Sequence, residues 1–314
     1  MSLHLSTALG TVFGDCGAVH AGQSGAGGAF MIGDTHFPSS DRMHPLDEAI
    51  ALRSTSRHEF MGATHPAYAN MVGPFGGTTA AQLLQAALLH PERLGEPLAL
   101  TVNFAAPVAD GEIRFVARPV RTNRSTQHWI IEAHQTVHDT EGVVATATAV
   151  FAVRRETWSN VEAVMPANVP APDAVPRMLV KGMPPWPQRY DMRFVEGAFP
   201  AAFDEQEQAH SRSTLWLRDE PPRALDFASL AALSDSFFPR IYIRRRRRAM
   251  IGTVSLTTYF HADSALLAQI GTRHVLGVAK ALNYRHGYFD QTGELWSPEG
   301  QLLASTHQLV YFKD

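Results

Sequence analysis

One pattern occurs twice along this chain: a helix-forming stretch accompanied by several strand-forming segments. In the first half, GGTTAAQLLQAALLH precedes LALTVNFAAPV, EIRFVARPV, HWIIEAHQTV and VVATATAVFAV, which are β-branched or alternating and separated by turn signals. In the second half, LDFASLAALSDSFFP lies among RYDMRFVEG, TVSLTTYFHAD and further strand-forming segments towards the C-terminus. The repeat predicts an α+β fold of two equal modules, each a sheet with one long helix.

The domain boundaries follow from the repeat and from the segments outside it. The first module is predicted over residues 43–157 and the second over residues 185–314. Residues 158–184 are rich in Pro and Ala with little periodicity, which is typical of a linker. Residues 1–42 contain GQSGAGGAF and lack the basic flank of a secretion signal, so we predict a flexible N-terminal extension.

Composition narrows the classes of function. The net charge of −3 gives no reason to expect nucleic acid or a membrane as partner, and no apolar run approaches the ~20 residues of a spanning helix. Cys16 is the single cysteine, which rules out an internal disulfide and suits a reducing cytoplasm. Because the histidines of RHEFMGATH do not have the H-E-x-x-H spacing, we expect no metal ion.

The last strand carries a polar residue on its apolar face. Taken two at a time, that face consists of Leu302, Ala304, Thr306, Gln308, Val310 and Phe312. A buried primary amide has up to four hydrogen-bonding positions to satisfy. Gln308 is therefore either part of a polar network in the core or a side chain that faces a cavity.

Several stretches in order resemble the double-hotdog acyl-CoA thioesterases of the thioesterase II type. They are YANMVGPFGGTTAAQLL, NFAAPVADGE and VRTNRSTQHW in the first half, and TLWLRDE, LAALSD, TVSLTTYFH and YFDQTGELWSPEGQLLASTHQ in the second. The resemblance runs from about Asp47 to the C-terminus. It implies two modules, each with its antiparallel sheet wrapped around the helix, joined edge to edge. It also implies hydrolysis of an acyl-CoA thioester in fatty acid metabolism, with no cofactor beyond the coenzyme A of the substrate.

The resemblance further implies a catalytic set of Asp235, Thr253 and Gln308, with the Asp assisting a water molecule that Thr and Gln position. Each residue also has a structural interpretation: Asp235 ends a helix before Pro239, Thr253 is an ordinary strand residue, and Gln308 is a satisfied core amide. The corresponding places in the first module hold no general base, so we expect one active centre per chain.

Further residues are candidates for substrate contacts. We predict Gly76 and Gly77 at the substrate, and Arg121 and Arg124 at the phosphates of coenzyme A, unless these arginines only end a surface strand. The run Arg244–Arg248 either meets the same phosphates or forms a solvated loop, which we favour.

Two other functions fit the same fold. One is a non-catalytic acyl-CoA or acyl-carrier binding protein, and the other is a hydratase using His261 or His307. We also expect a homodimer or higher homo-oligomer, because sheets of this kind expose edges and Trp216 and Trp296 mark strands that another chain could join.

Overall fold

The computed structural model describes residues 43–137 and 140–313. The predicted extension over residues 1–42 lies outside them. The first half comprises α1 (Pro45–Ala49), β1 (Arg53–Ser54), β2 (Glu59–Ala63), α2 (Gly76–Leu88), β3 (Glu96–Phe104), β4 (Glu112–Thr122), β5 (Thr126–Val137) and β6 (Thr140–Ala152). The second comprises β7 (Tyr190–Glu196), β8 (Ser213–Asp219), α3 (Phe227–Leu233), α4 (Arg240–Arg245), β9 (Met250–Phe260), α5 (Ser264–Ile270), β10 (Val275–Lys280), β11 (Tyr284–Arg285), β12 (Tyr288–Trp296) and β13 (Leu302–Lys313).

The strands form one antiparallel sheet in the order β1-β2-β4-β5-β6-β3-β9-β13-β12-β10-β8-β7, with β11 beside β12. The order β2-β4-β5-β6-β3 in the first half has the same topology as β8-β10-β12-β13-β9 in the second. The halves meet where β3 pairs with β9, and there the hydroxyls of Thr101 and Thr257 lie 3.0 Å apart. The predicted α+β double hotdog, with its two sheets joined edge to edge, is confirmed.

Helix α2 is enclosed on nearly all sides. It begins after Phe75 and ends at Leu88, close to the bounds that its sequence predicts. Its buried residues include small ones on every face, such as Ala80, Ala81 and Ala86, because it lies between the strands β4 and β5 and helix α3. This packing forms the main core of the protein.

The second central helix is shorter than its sequence predicts. Helix α3 contains seven residues and ends at Leu233. The hydroxyls of Ser234 and Ser236 then donate to the carbonyl oxygens of Leu230 and Leu233, which satisfies acceptors at the end of the helix. Asp235 therefore lies just beyond α3 instead of within it.

The two tryptophans that we expected at strands open to a second chain lie inside the sheet. Trp216 is on β8 and Trp296 on β12, and each of these strands has a neighbour on both sides. Their rings pack with Val175 of the predicted linker, and Trp216 Nε1 donates to the carbonyl oxygen of Pro170. The prediction that these tryptophans mark strands open to another chain was therefore wrong, because they pack against the predicted linker instead. Self-association itself stays a prediction.

The helices of the described part of the chain are all too short or too polar to span a membrane.

Candidate active site

A cavity of about 620 Å³ opens between the start of α2, the segment after α3 and strands β9, β12 and β13. The three residues of the predicted catalytic set, Asp235, Thr253 and Gln308, all line it. Its apolar wall includes Phe75, Phe104, Trp186, Phe237 and Val310. A few polar groups converging in an apolar cleft are typical of a small-molecule site.

Asp235 is hydrogen-bonded on two sides. Its Oδ1 accepts a 2.8 Å hydrogen bond from Gln308 Nε2, and its carboxylate also accepts one from the backbone N–H of Gly77. Burial raises the pKa of Asp235 to about 7, although both hydrogen bonds act to lower it. The side chain retains partial exposure and lines the cavity. A carboxyl with this pKa can accept and return a proton near neutral pH.

The Asp235 carboxylate occupies the N-terminus of a helix from the other module. The residue before α2 is Phe75, whose side chain cannot cap the helix, whereas α3 starts with its own capping box of Asp226 and Ser229. Asp235 therefore supplies an acceptor where α2 has unpaired N–H groups and a positive dipole end. Of the two helices, only α2 takes its cap from across the module boundary.

Two glycines make this approach possible. A Cβ on Gly76 would lie 2.7 Å from Asp235 Oδ2, and a Cβ on Gly77 would lie 2.5 Å from the carbonyl oxygen of Ala232 in α3. Gly76 lines the cavity, as a substrate contact requires. Gly77 is not among the lining residues, and its N–H donates to Asp235, so its visible role is to hold the carboxylate.

A β-bulge brings Thr253 to the cavity. Gln308 on β13 pairs with Leu256 on β9, but the register then shifts, so that Val310 pairs with Thr253. Regular alternation would have placed Val254 opposite Val310. Since residues paired across strands share a face, Thr253 lies on the side of the sheet that carries Gln308, and it is partly exposed there.

The predicted phosphate contacts are not brought to this cavity. Arg121 and Arg124 lie at the β4–β5 hairpin, near the end of the sheet where Glu96 begins β3. The cavity lies at the other end of that strand, beside Phe104. Neither arginine lines it, so the geometry gives no support to their role at the phosphates, which stays a prediction.

The arginine run has local acidic partners. Its first two members end helix α4. Arg246 contacts Asp204 at 2.6 Å, Arg244 contacts Glu207 at 3.2 Å, and the Arg248 guanidinium lies 5.3 Å from the centre of the Phe203 ring. The run is thus partly exposed, as expected, but it is held by the segment 203–207 instead of forming an open loop.

The histidines considered for a hydratase do not line the cavity. His261 Nε2 lies 3.0 Å from Ser305 Oγ, and His307 Nε2 lies 3.3 Å from a carboxylate oxygen of Asp290. Both histidines are exposed and neither lines the cavity, so the geometry gives no support to a hydratase.

His58, His90 and Glu92 place potential metal ligands close together. However, His90 Nδ1 accepts from the backbone N–H of Glu92, so a neutral His90 carries its proton on Nε2 and donates to His58 Nδ1 at 2.9 Å. The Glu92 carboxylate is bound by Arg57 at 2.7 Å. These contacts account for the cluster as a hydrogen-bonded pair of histidines beside an ion pair.

Gln291, a polar residue of the cavity, was not predicted from the sequence. Gln291 is 1% exposed and lines the cavity from β12, where it pairs with Gln308. Its Oε1 accepts a 2.9 Å hydrogen bond from Arg240 Nε, and Arg240 is itself fully buried. The only available signal was the alternation of Phe289, Gln291 and Gly293 on one face of YFDQTG.

Both halves of the chain match sequence models of one protein family. Sequence models of the acyl-CoA thioesterase N-terminal and C-terminal domains match residues 65–152 and 162–312. No significant match was found among curated proteins.

Solved structures share the fold over most of the chain. A hot dog fold protein of unknown function from Alicyclobacillus acidocaldarius is 51% identical, with 87% of this chain and 99% of that chain covered and a TM-score of 0.81. A putative thioesterase II from Thermobifida fusca YX is 17% identical, with coverage of 87% and 98% and a TM-score of 0.73. Acyl-CoA thioesterase II TesB2 from Mycobacterium marinum is 18% identical, with coverage of 85% and 98% and a TM-score of 0.66.

Proposed function

Since this chain belongs to the acyl-CoA thioesterase family and is a thioester hydrolase, we propose that it cleaves acyl-CoA in the cavity around Asp235. The products are a free acid and coenzyme A. The observation that carries this proposal is the hydrogen bond from Gln308 to the Asp235 carboxylate, whose pKa is raised, inside a cavity with an apolar wall. The reaction requires a water molecule, a general base and space for an acyl chain.

In this proposal Asp235 acts as general base. A water molecule beside the carboxylate attacks the thioester carbon, and its proton passes to Asp235. The C–S bond then breaks, and the proton moves from Asp235 to the sulfur of coenzyme A. No covalent intermediate, metal ion or additional cofactor enters this scheme.

Thr253 and Gln308 position the water. One hydrogen on Gln308 Nε2 is used by Asp235, and the same nitrogen carries a second hydrogen that can hold the water. Among the described residues, the Thr253 hydroxyl makes no hydrogen bond, so it can serve the same water from β9. Holding the nucleophile at a fixed angle lowers the barrier by removing its freedom to rotate and diffuse.

The test is the release of coenzyme A from a panel of acyl-CoAs with short, long and aromatic acyl groups. Wild type is compared with Asp235→Asn and with Asp263→Asn, a matched change at the cap of α5. We expect turnover of at least one acyl class, lost in the first variant and retained in the second, because Asn cannot take up the proton.

Other outcomes would redirect the assignment. Unchanged turnover in Asp235→Asn would mean that another residue is the base. Tight binding of an acyl-CoA without turnover by wild type would favour the acyl-binding protein over the enzyme.

We further propose that the protein acts in the cytoplasm, in fatty acid metabolism, as a homo-oligomer. A single cysteine suits a reducing compartment. Light scattering of the purified full chain gives the oligomeric state directly, and a monomer across a wide concentration range would contradict that part.

A further inference from the structure

Gln291 presents an unpartnered hydrogen-bond donor to the cavity. It lines the cavity, it is 1% exposed, and its Nε2 has no hydrogen-bond partner anywhere in the described residues. A buried donor left without a partner is costly, and native proteins rarely keep one without a reason. Because this donor also lines the cavity, we expect its partner to come from a molecule bound there.

The orientation of this amide is determined by Arg240. A guanidinium only donates hydrogen bonds, so the atom that faces Arg240 Nε at 2.9 Å must be the amide oxygen, which leaves the NH₂ group on the other side. Arg240 is held in turn by Ser211 O at 2.9 Å and Ser213 Oγ at 2.8 Å. The amide of Gln291 thus cannot flip without losing this contact.

Arg240 also places a positive charge behind the amide. It is fully buried, and its hydrogen-bond acceptors among the described residues are carbonyl, amide and hydroxyl oxygens, not carboxylates. Burial lowers the pKa of Arg240 to about 10, which leaves it charged at neutral pH. A cation bonded to the amide oxygen makes the amide N–H a stronger donor.

The position of Gln291 relative to Asp235 suggests what it binds. Gln291 and Gln308 are paired across β12 and β13, so their Cβ atoms lie about 5 Å apart. Gln308 holds the carboxylate, and the Gly77 N–H at the start of α2 is used for the same purpose. The proposed reaction still requires a donor for the carbonyl oxygen, which becomes negatively charged as water attacks.

We propose that Gln291 is a further catalytic residue, whose Nε2 donates to the thioester carbonyl oxygen, and that Arg240 is its positioning residue. This inference rests on the proposed function. As the bond between the water oxygen and the carbonyl carbon forms, the π electrons move to the carbonyl oxygen, where Gln291 stabilises them. They return as the C–S bond breaks, and the departing sulfur takes its proton from Asp235.

The kinetic test uses two substitutions and a matched control. Gln291→Glu keeps an acceptor for Arg240 but replaces the donor by an oxygen, and Gln291→Met removes both. We expect kcat to fall by roughly 10²–10³ in each, with a smaller change in KM, when rates are compared at the high-pH plateau. Thr306→Val is the control, because Thr306 is buried with an unpartnered hydroxyl but does not line the cavity, and it should keep wild-type kcat.

A binding test separates the role of Gln291 from the activity of the enzyme. Two inert analogues are titrated calorimetrically: a ketone that keeps the carbonyl but replaces sulfur by CH₂, and an S-alkyl-CoA that keeps sulfur but lacks the carbonyl. Wild type should bind the ketone more tightly than the S-alkyl-CoA, and in both Gln291 variants the ratio of the two affinities should fall roughly tenfold. A structural defect would weaken both analogues alike.

Three results would overturn the assignment: unchanged kcat, equal loss for both analogues, or a loss confined to acyl chains bearing an additional oxygen, which would make Gln291 a reader of the acyl chain. If wild type hydrolyses no acyl-CoA but binds the ketone preferentially through Gln291, the proposed function fails while the donor assignment stands.

Discussion

Asp235 should lower the stability of the folded protein at neutral pH, and Asp235→Asn should recover it. Burial raises the pKa of this carboxyl from 3.8 to about 7, a difference of roughly three units. At about 1.4 kcal/mol per unit, the ionised group disfavours folding by up to about 4 kcal/mol. Asn places an NH₂ group near the two donors that now serve the carboxylate, which costs about 1–3 kcal/mol. The expected net gain is about 1–3 kcal/mol at about pH 8.

The pH dependence identifies the cause. Between the two pKa values the folded protein holds a proton on Asp235 and the unfolded chain does not, so the free energy of unfolding of wild type falls by about 1.4 kcal/mol per pH unit. The Asn variant lacks this slope. Its advantage over wild type should be smallest near pH ~4, grow as the pH rises, and level off above about 7.

Urea unfolding of both proteins, followed by circular dichroism from about pH 4.5 to about pH 8.5, measures this difference. Asp263→Asn serves as control and should show no comparable rise. Two results would refute the view that burial disfavours ionisation of Asp235 and thereby lowers stability. One is a variant that is less stable than wild type at the upper pH, and the other is a stability difference that does not change with pH.

Three further outcomes are expected. The value of kcat/KM should rise with pH through about 7, the pKa of Asp235, and Gln308→Met should move this inflection upward by about one pH unit because the carboxylate loses a donor. A pH–rate profile of each protein tests this. Gly77→Ala should destabilise the folded protein by about 2 kcal/mol or more in thermal unfolding, because the added Cβ would lie 2.5 Å from a carbonyl oxygen of α3. Gly142→Ala is the control, since an added Cβ there has no atom within 4 Å, and equal effects of the two changes would contradict the close approach at Gly77. Thr253→Val should lower kcat, and Thr253→Ser should retain most of it; a fully active Val variant would exclude the hydroxyl from water positioning.

The regular elements could be read from the sequence because their signals are local. Helix α2 begins and ends close to its predicted bounds, since glycines and threonines open it and Pro91 follows it. On β13, residues 304, 306, 308 and 310 are buried and 307, 309 and 311 are exposed, which follows the predicted alternation. The repeated pattern likewise corresponds to a repeated strand order.

The same reasoning failed where contacts between distant residues decide the outcome. The second central helix stops at Leu233, and the segment after it brings Asp235 to Gly77 and Gln308, which are both distant from it in the sequence. Trp216 and Trp296 suggested an interface, but the linker covers them. The sequence predicted no partner within the chain for the arginine run, because its acidic neighbours lie about forty residues earlier.

The features of the site likewise fall into those that the sequence indicates and those that depend on contacts between distant residues. The two modules with their helices and strands could be read from the sequence, and family resemblance indicated Asp235, Thr253 and Gln308 as candidate residues. The folded chain was needed to show that Asp235 caps a helix of the other module, that a bulge brings Thr253 to the cavity, and that a buried Arg240 holds the amide of Gln291. The physical reason is that helix and strand periodicity acts over a few residues. In contrast, the pKa of a carboxyl and the partner of a buried amide depend on groups that only the packing of the whole chain brings within 3 Å of each other.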